Sequence, residues 1–528
     1  MNNLKHFRKF STFLDSPKPP LQIPVNLVTS KQRNLAPIPL PHRTISDPKG
    51  QDLDFINVAH SHLIHSDWSK LDSLSTGLTT FRVKHILLKI QKDYVLSLEF
   101  FKWVEVKNPN SNTLENHSIV LHVLTKNKKF KSAELILRKL LESGSVDFPA
   151  KLFEAILLSY RMCDSSPRVF DSLFKCHAHL KKFRNASDTF CSMKQYGFVP
   201  NIESCNAFMS SLLKLNRIDV ALGFYKEMRR SRISPNVYTF NMVMSAFCKS
   251  GNLEKAVEVL REMENISLKP TVVSYNTLIA GHCNRGLLSV ATKLKSVMEK
   301  NGVHPDSVTY NTLIHGLCKE GKIHEANKLF SETKRTGVAP NVVTYNTLIN
   351  AYSQAGNSEM GSRFFEEMAN DGLKADILTY NALILGLCKE GKTKKAAFLV
   401  KELDKLNLVP NSSTFSALIS GQCARKNPDR AFQLYKSMVR GGCHPNKPTL
   451  TLLASTFIKN EDYDGAMGVL KEMLERSIAP DLDMLTEISS TFLRCGREGT
   501  IIKLLQEIEA RRLMPEGFDK TTMISSTD

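Results

Sequence analysis

The chain has 528 residues, 42% of them hydrophobic, and its 71 Lys+Arg against 52 Asp+Glu give a formal net charge of +19. This composition excludes wholesale disorder, and no run of 18 or more apolar residues offers a membrane-spanning helix. A body this basic points to a polyanionic partner, nucleic acid first.

The start, MNNLKHFRKFSTFLDS, is basic, hydroxylated and nearly free of acids. Leu4, Phe7, Phe10 and Leu14 can share one helical face, with Lys5, Arg8 and Lys9 beside it. It lacks the long apolar core of a secretory signal and reads as an organellar transit peptide. The Pro-rich stretch that follows, SPKPPLQIPVNLVTSKQRNLAPIPLPHR, is not expected to fold. Residues 1–45 are therefore expected to be removed on import. The scarcity of acids and the RKFST run favour the mitochondrion, with the chloroplast as alternative.

Residues 46–166 read as helical. Beyond them a 35-residue frame runs without insertion from Ile202, with starts at Val237, Val272, Ser307, Val342, Ile377, Ser412, Lys447 and Leu482, and ends at Glu516. A weaker tenth unit fits Pro167–Asn201, so the array covers 167–516 and leaves Gly517–Asp528 as a short tail. Within a unit, Tyr310, Leu313, Ile314 and Leu317 follow i, i+3, i+4, i+7 and define a first helix. Gly251, Gly286, Gly321, Gly356 and Gly391 stand where that helix ends. Ala256, Val259, Leu260 and Met263 define a second helix, and Pro340-Asn341 or Pro480-Asp481 close the unit. One hairpin cannot bury both apolar stripes, but stacked hairpins can, so the fold expected is an all-α solenoid. No Cys-x-x-Cys occurs; Cys248, Cys283, Cys318, Cys388 and Cys423 fall on the lattice one per unit, as small residues at helix contacts rather than converging metal ligands.

The period of 35, the VTYNTLI opening, the GLCKEGK middle and the GVAPN close resemble the pentatricopeptide repeat family, in its class of uniform 35-residue units. The resemblance implies a right-handed superhelix of helix-turn-helix repeats. Ser97–Asn108 and Ser118–Leu137 look like degenerate units, and residues 149–166 leave the lattice.

Three columns carry the functional reading. The last residue of successive units is Asn201, Asn236, Thr271, Asp306, Asn341, Asp376, Asn411, Asn446, Asp481 and Glu516, and helix capping explains that choice. The fifth residue is Asn206, Asn241, Asn276, Asn311, Asn346 and Asn381, then Ser416, Thr451 and Thr486. Asparagine is a mediocre helix former. Neither capping nor the apolar stripe requires it there, so the column reads as hydrogen-bonding groups facing a repeating ligand, able to read a base edge. The thirteenth residue is Lys214, Lys249, Lys319, Lys389, Lys459 and Arg494, interrupted by Asn284, Gln354 and Ala424, a spacing suited to phosphates.

The resemblance implies one RNA base per repeat, chosen by the fifth and last residues, with the second residue (Tyr238, Val273, Val308, Val343, Leu378) packed between bases. It implies uracil for Asn276 with Asp306 and for Asn346 with Asp376. Pyrimidines follow for Asn206 with Asn236, Asn241 with Thr271, Asn311 with Asn341 and Asn381 with Asn411. Adenine follows for Ser416 with Asn446, and guanine for Thr451 with Asp481. The expected partner is single-stranded organellar RNA, bound by a monomer alongside other RNA-processing proteins, without membrane insertion. No catalytic, metal or cofactor site is expected, because the array leaves no room for a zinc deaminase or nuclease domain. The competing reading is a protein-binding solenoid scaffold, which gives no reason for an asparagine ladder.

Overall fold

The computed structural model describes residues 37–41, 45–142, 149–515 and 517–518. The transit-peptide reading and Glu516 lie outside the described residues, apart from 37–41 and 45 of the former. Among the described residues the chain is helical, with 3₁₀ turns at Ser75–Gly77 and Pro109–Ser111 and no strand. None of these helices is long and apolar enough to cross a membrane. The chain forms two compact units, Met1–Thr277 and Leu278–Asp528.

Helices begin at Ile202, Val237, Val272, Ser307, Val342, Ile377, Ser412, Lys447 and Leu482, the first residue of each of the nine frames. The Val342 repeat, in the second unit, shows why. Asn341 Oδ1 accepts from the backbone N–H groups of Val343 (3.1 Å) and Thr344 (3.2 Å), while Thr344 Oγ1 accepts from Asn341 N–H (3.1 Å). This reciprocal cap satisfies donors that a helix start leaves open. Tyr345, Leu348 and Ile349 are then buried on one face, with the Tyr345 ring 5.4 Å from that of Phe330 and 6.5 Å from that of Phe364 on flanking second helices. Burying an aromatic side chain of this size contributes about 1.5–3 kcal/mol. Gly356 ends the first turn with φ of 73°, and Lys426 adopts the same left-handed backbone at 55° in a repeat without that glycine.

Neighbouring repeats in the second unit interlock through small residues. A Cβ added to Gly386 would lie 2.7 Å from Ser353 Oγ, and one added to Gly421 would lie 2.8 Å from Cys388 Sγ. At Gly316 it would meet Cys283 Sγ at 3.0 Å. The lattice cysteines are thus packing residues, all eleven are free, and burial pushes the Cys388 thiol up to about 11.

The first unit keeps a helical hairpin at Leu114–Lys126 and Phe130–Glu142 and departs from this pattern between residues 149 and 165. Helix Leu114–Lys126 is buried from Asn116 to Thr125, and the single helix Pro149–Ser159, between that hairpin and the next, also lies against it. Their seam is polar: His122 Nε2 meets Ile156 O and Ser159 Oγ, both at 2.9 Å, and its Nδ1 meets Ser165 Oγ at 2.6 Å. Burial holds this imidazole down at about 4, so it is neutral. Packing returns to aromatic rings with Phe174, Phe190, Phe208 and Phe224, whose centroids lie 4.7–6.2 Å apart. Part of the Pro-rich stretch is also seated here: Ile38 N–H donates to Gln195 O at 2.8 Å. Prolines preset an extended backbone, which lowers the entropy lost on docking.

Candidate nucleic-acid interface

The second-residue column lies open on the first helices. Tyr238, Val273, Val308, Val343 and Leu378 are 54–60% exposed, unusual for apolar side chains at regular spacing. In the second unit, Val343, Leu378, Asn346, Asn381, Ser416 and Lys319 are among the residues lining one open groove of about 1010 Å³. That groove joins three of the expected columns in one place: apolar second residues, fifth residues and a thirteenth-place lysine.

The expectation that neither capping nor packing engages the fifth residue is overturned. Asn346 Nδ2 donates to Asp376 Oδ1 at 3.0 Å, and Asn346 Oδ1 accepts from Thr379 Oγ1 at 2.6 Å. Asn311 repeats this with Asn341 (3.1 Å) and Thr344 (2.5 Å), and Asn381 with Asn411 (3.1 Å) and Thr414 (2.6 Å). In the first unit Asn206 bonds Asn236 (3.2 Å) and Thr239 (2.8 Å), and Asn241 accepts from Ser274 Oγ at 2.8 Å. In the Asn206, Asn311, Asn346 and Asn381 repeats the fifth and last residues are therefore paired side chain to side chain, and both join the cap of the next first helix. The pairing crosses 30 and 33 positions, which is why a column-by-column reading misses it.

Asp376 lies half-buried in this network. Burial alone would raise its carboxyl, but the backbone N–H and hydroxyl of Thr379, with the Asn346 amide, hold it below the usual carboxylate value. It is thus ionised and only accepts. Asp306 caps its helix through Thr309 N–H at 2.9 Å, and Asn276 is half-buried. The last two pairs differ. Ser416 Oγ meets Thr449 Oγ1 at 2.7 Å, while Asn446 caps Thr449 N–H at 3.1 Å. Thr451 Oγ1 reaches Asp481 Oδ2 at 3.3 Å, and Lys447 Nζ holds Asp481 Oδ1 at 2.5 Å, a partner the sequence columns did not reveal. In the weaker Pro167 unit the fifth residue is Asp171, buried and accepting from Asn201 N–H at 2.8 Å, its carboxyl pushed up to about 6 by burial.

Charge is sorted between the two helices of a repeat. The seven first helices from Val237–Ser250 to Lys447–Lys459 contain no Asp or Glu. On them Lys249, Lys319 and Lys459 are exposed and pair with no carboxylate among the described residues, as is Lys214 one repeat earlier. Lys389 Nζ donates to Gln354 Oε1 at 2.7 Å, bridging a gap in the column, and Arg494 folds back on Ser490 O at 3.3 Å. The acids stand mostly on second helices, where neighbours neutralise some of them: Lys194 with Glu227 (2.6 Å), Lys295 with Glu332 (2.6 Å), and Arg229 with Glu262.

Comparison with known proteins agrees with this architecture. The PPR repeat family model matches residues 200–249, 235–274, 270–319, 305–348, 340–388, 375–424 and 410–459, and the PPR repeat model matches 449–478, together more than half of the chain. A mitochondrial pentatricopeptide repeat-containing protein of Arabidopsis thaliana is 67% identical over 203 residues, 38% of this chain and 39% of that protein. Another pentatricopeptide repeat-containing protein of the same plant is 30% identical over 217 residues, 40% of this chain and 42% of that protein. The chain spans less than half the length of these relatives. The crystal structure of the pentatricopeptide repeat protein PPR10 from maize is alike in fold, with a TM-score of 0.51 and 18% identity, over 88% of this chain and 78% of that one. With its 35-residue helical hairpins and these matches, the chain belongs to the pentatricopeptide repeat family.

Proposed function

We propose that this chain is a sequence-specific single-stranded RNA-binding protein of organellar RNA metabolism, acting in transcript end protection, splicing or translation, with one base facing each repeat. The observation that carries this reading is the face of the first helices from Val237 to Lys459, whose only carboxylates are those of the capping pairs. It repeats an exposed apolar side chain, a hydrogen-bonding pair and, in most repeats, a cation every 35 residues. Single-stranded RNA offers the complement: a flat face, a polar edge and a phosphate at each step. The mitochondrion is the proposed location, in keeping with the relative that is 67% identical.

The pairs also support different bases. Beside Asn346, Asp376 offers Oδ2 as an acceptor next to an amide N–H, matching a uracil carbonyl and its N3–H. Beside Asn311, Asn341 has its Oδ1 occupied and offers only N–H groups, which suit the acceptor pair of cytosine. A good pair of this kind discriminates by about 1–3 kcal/mol. Random-pool RNA selection on the purified chain is expected to return a tract of the form Y-Y-U-Y-U-Y-A-G, read from Asn206 to Thr451. A purine-rich winner overturns the reading.

A further inference from the structure

We infer that the third residue of each repeat is the positioning residue for the base contact of the repeat before it. This rests on the RNA-reading function above and assigns part of its specificity to a side chain outside the fifth-and-last pair. The residues are Thr239, Ser274, Thr344, Thr379 and Thr414, acting on Asn206, Asn241, Asn311, Asn346 and Asn381. All five hydroxyl-bearing residues are buried, so none is placed to touch the ligand.

The geometry fixes the sense of the amide. A carboxylate has no proton to give, so the Asn346 atom 3.0 Å from Asp376 Oδ1 must be the nitrogen. The carbonyl oxygen then lies on the other side, 2.6 Å from Thr379 Oγ1. Thr379 Oγ1 accepts from Asp376 N–H at 3.1 Å, and its single proton goes to the nearer of two acceptors, Asn346 Oδ1 at 2.6 Å rather than Asp376 Oδ1 at 3.0 Å. A flipped amide would set oxygen against the carboxylate. The hydroxyl closes the remaining freedom by tying the carbonyl down, so the amide offers the groove the same free N–H in every bound complex. In the Asn311 repeat the acceptor role of Asn341 Oδ1 is fixed by Val343 N–H and Thr344 N–H, and Thr344 again ties the carbonyl at 2.5 Å. A base contact made by a held amide discriminates better than one made by an amide that can turn. The Lys447 repeat lacks the device: the third residue after it is Met484, which has no hydroxyl.

Thr379→Val keeps the shape and removes the hydroxyl; Thr379→Ser keeps the hydroxyl. Competition binding on the full chain uses two RNAs that differ only at the base facing the Asn346 repeat, uracil against cytosine. A second RNA pair, differing only at the base facing the Asn311 repeat, is the internal control. Thr379→Val is expected to lower the uracil preference about tenfold at the first base and leave the control preference unchanged. Thr379→Ser is expected to behave as wild type. Should Thr379→Val fail to melt as a folded protein, Ser274→Ala is read at the base facing Asn241, with a pyrimidine against a purine there. Full preference retained in the hydroxyl-free variant, beside a discriminating wild type, overturns the positioning role alone; so does an equal loss at every base. A wild type without preference at any base overturns the RNA-reading function together with this inference.

Discussion

The two helices of a repeat use charge in opposite ways. Second helices carry cations and acids together, and some are matched between neighbours: Lys334 reaches Glu367 (2.7 Å) and Asp371 (3.0 Å), and Tyr345 O–H donates to the same Asp371 at 2.5 Å. The first helices carry cations with no acids among them from Val237 to Lys459. The second helices mix both signs and pair part of their charge within the protein, and these first helices carry cations alone. A high net charge is therefore a poor guide to where a polyanion binds; the position of the unmatched part is the informative quantity.

The sharpest way to break this contrast is to strip the cations from the first helices. Changing Lys249, Lys319 and Lys389 together to Ala is expected to weaken binding of every RNA sequence by at least tenfold. Each lysine that no longer meets a phosphate should also flatten the salt dependence by about 0.7 in log–log slope. Binding isotherms from low to high salt check both, while thermal melting is expected to stay unchanged.

Breaking an ion pair on the second helices should do the converse. Lys334→Met is expected to cost about 0.5–1 kcal/mol in urea unfolding and leave RNA affinity unaltered. Burial alone would lower the Lys334 ammonium, but Glu367 and Asp371 raise it; Tyr345 O–H and then Lys334 hold Asp371 below the usual carboxylate value. A depressed carboxyl stabilises the fold above its unfolded value and loses that contribution as pH falls through the folded one. Wild type and Lys334→Met are thus expected to differ at neutral pH and to converge as acid protonates Asp371. A difference that persists in acid would place the effect in weaker packing on the Phe330 and Tyr345 rings instead.

The contrast can also be sharpened. Asn284 is an exposed gap in the cation column, and Asn284→Lys is expected to raise affinity two- to fivefold and steepen the salt slope by about 0.7. This is the smallest of the three effects, because the new side chain is not held in place.

The helices and the three columns were legible because the period repeats each position often enough to separate choice from drift. The Asn341 cap and the buried Tyr345 stripe needed nothing else. The hydroxyl–amide link was not legible, since Thr344 reads as an ordinary capping residue and its second partner, Asn311, lies one repeat away. Lys447 on Asp481 was missed for the same reason: the contact joins adjacent repeats, and no column records it. In residues 149–165 the period fails, and the His122 seam joins that stretch to the preceding hairpin by polar contacts between helices of unequal length. Such contacts have no sequence rhythm to find.

The Cys388–Gly421 and Ser353–Gly386 contacts bear on how such arrays change over generations. They act as keys cut to one lock: a repeat moved to a new neighbour brings its twelfth residue against a different tenth residue. Where a tenth residue with a side chain takes the place of Gly386 or Gly421, the newcomer seats only if the two helices move apart, whatever base it reads. Duplication beside the parent copy preserves the match, while transfer between distant positions tests it. The spelling of the target can therefore drift one repeat at a time, but the order in which repeats are shuffled is constrained by a contact that never touches the message.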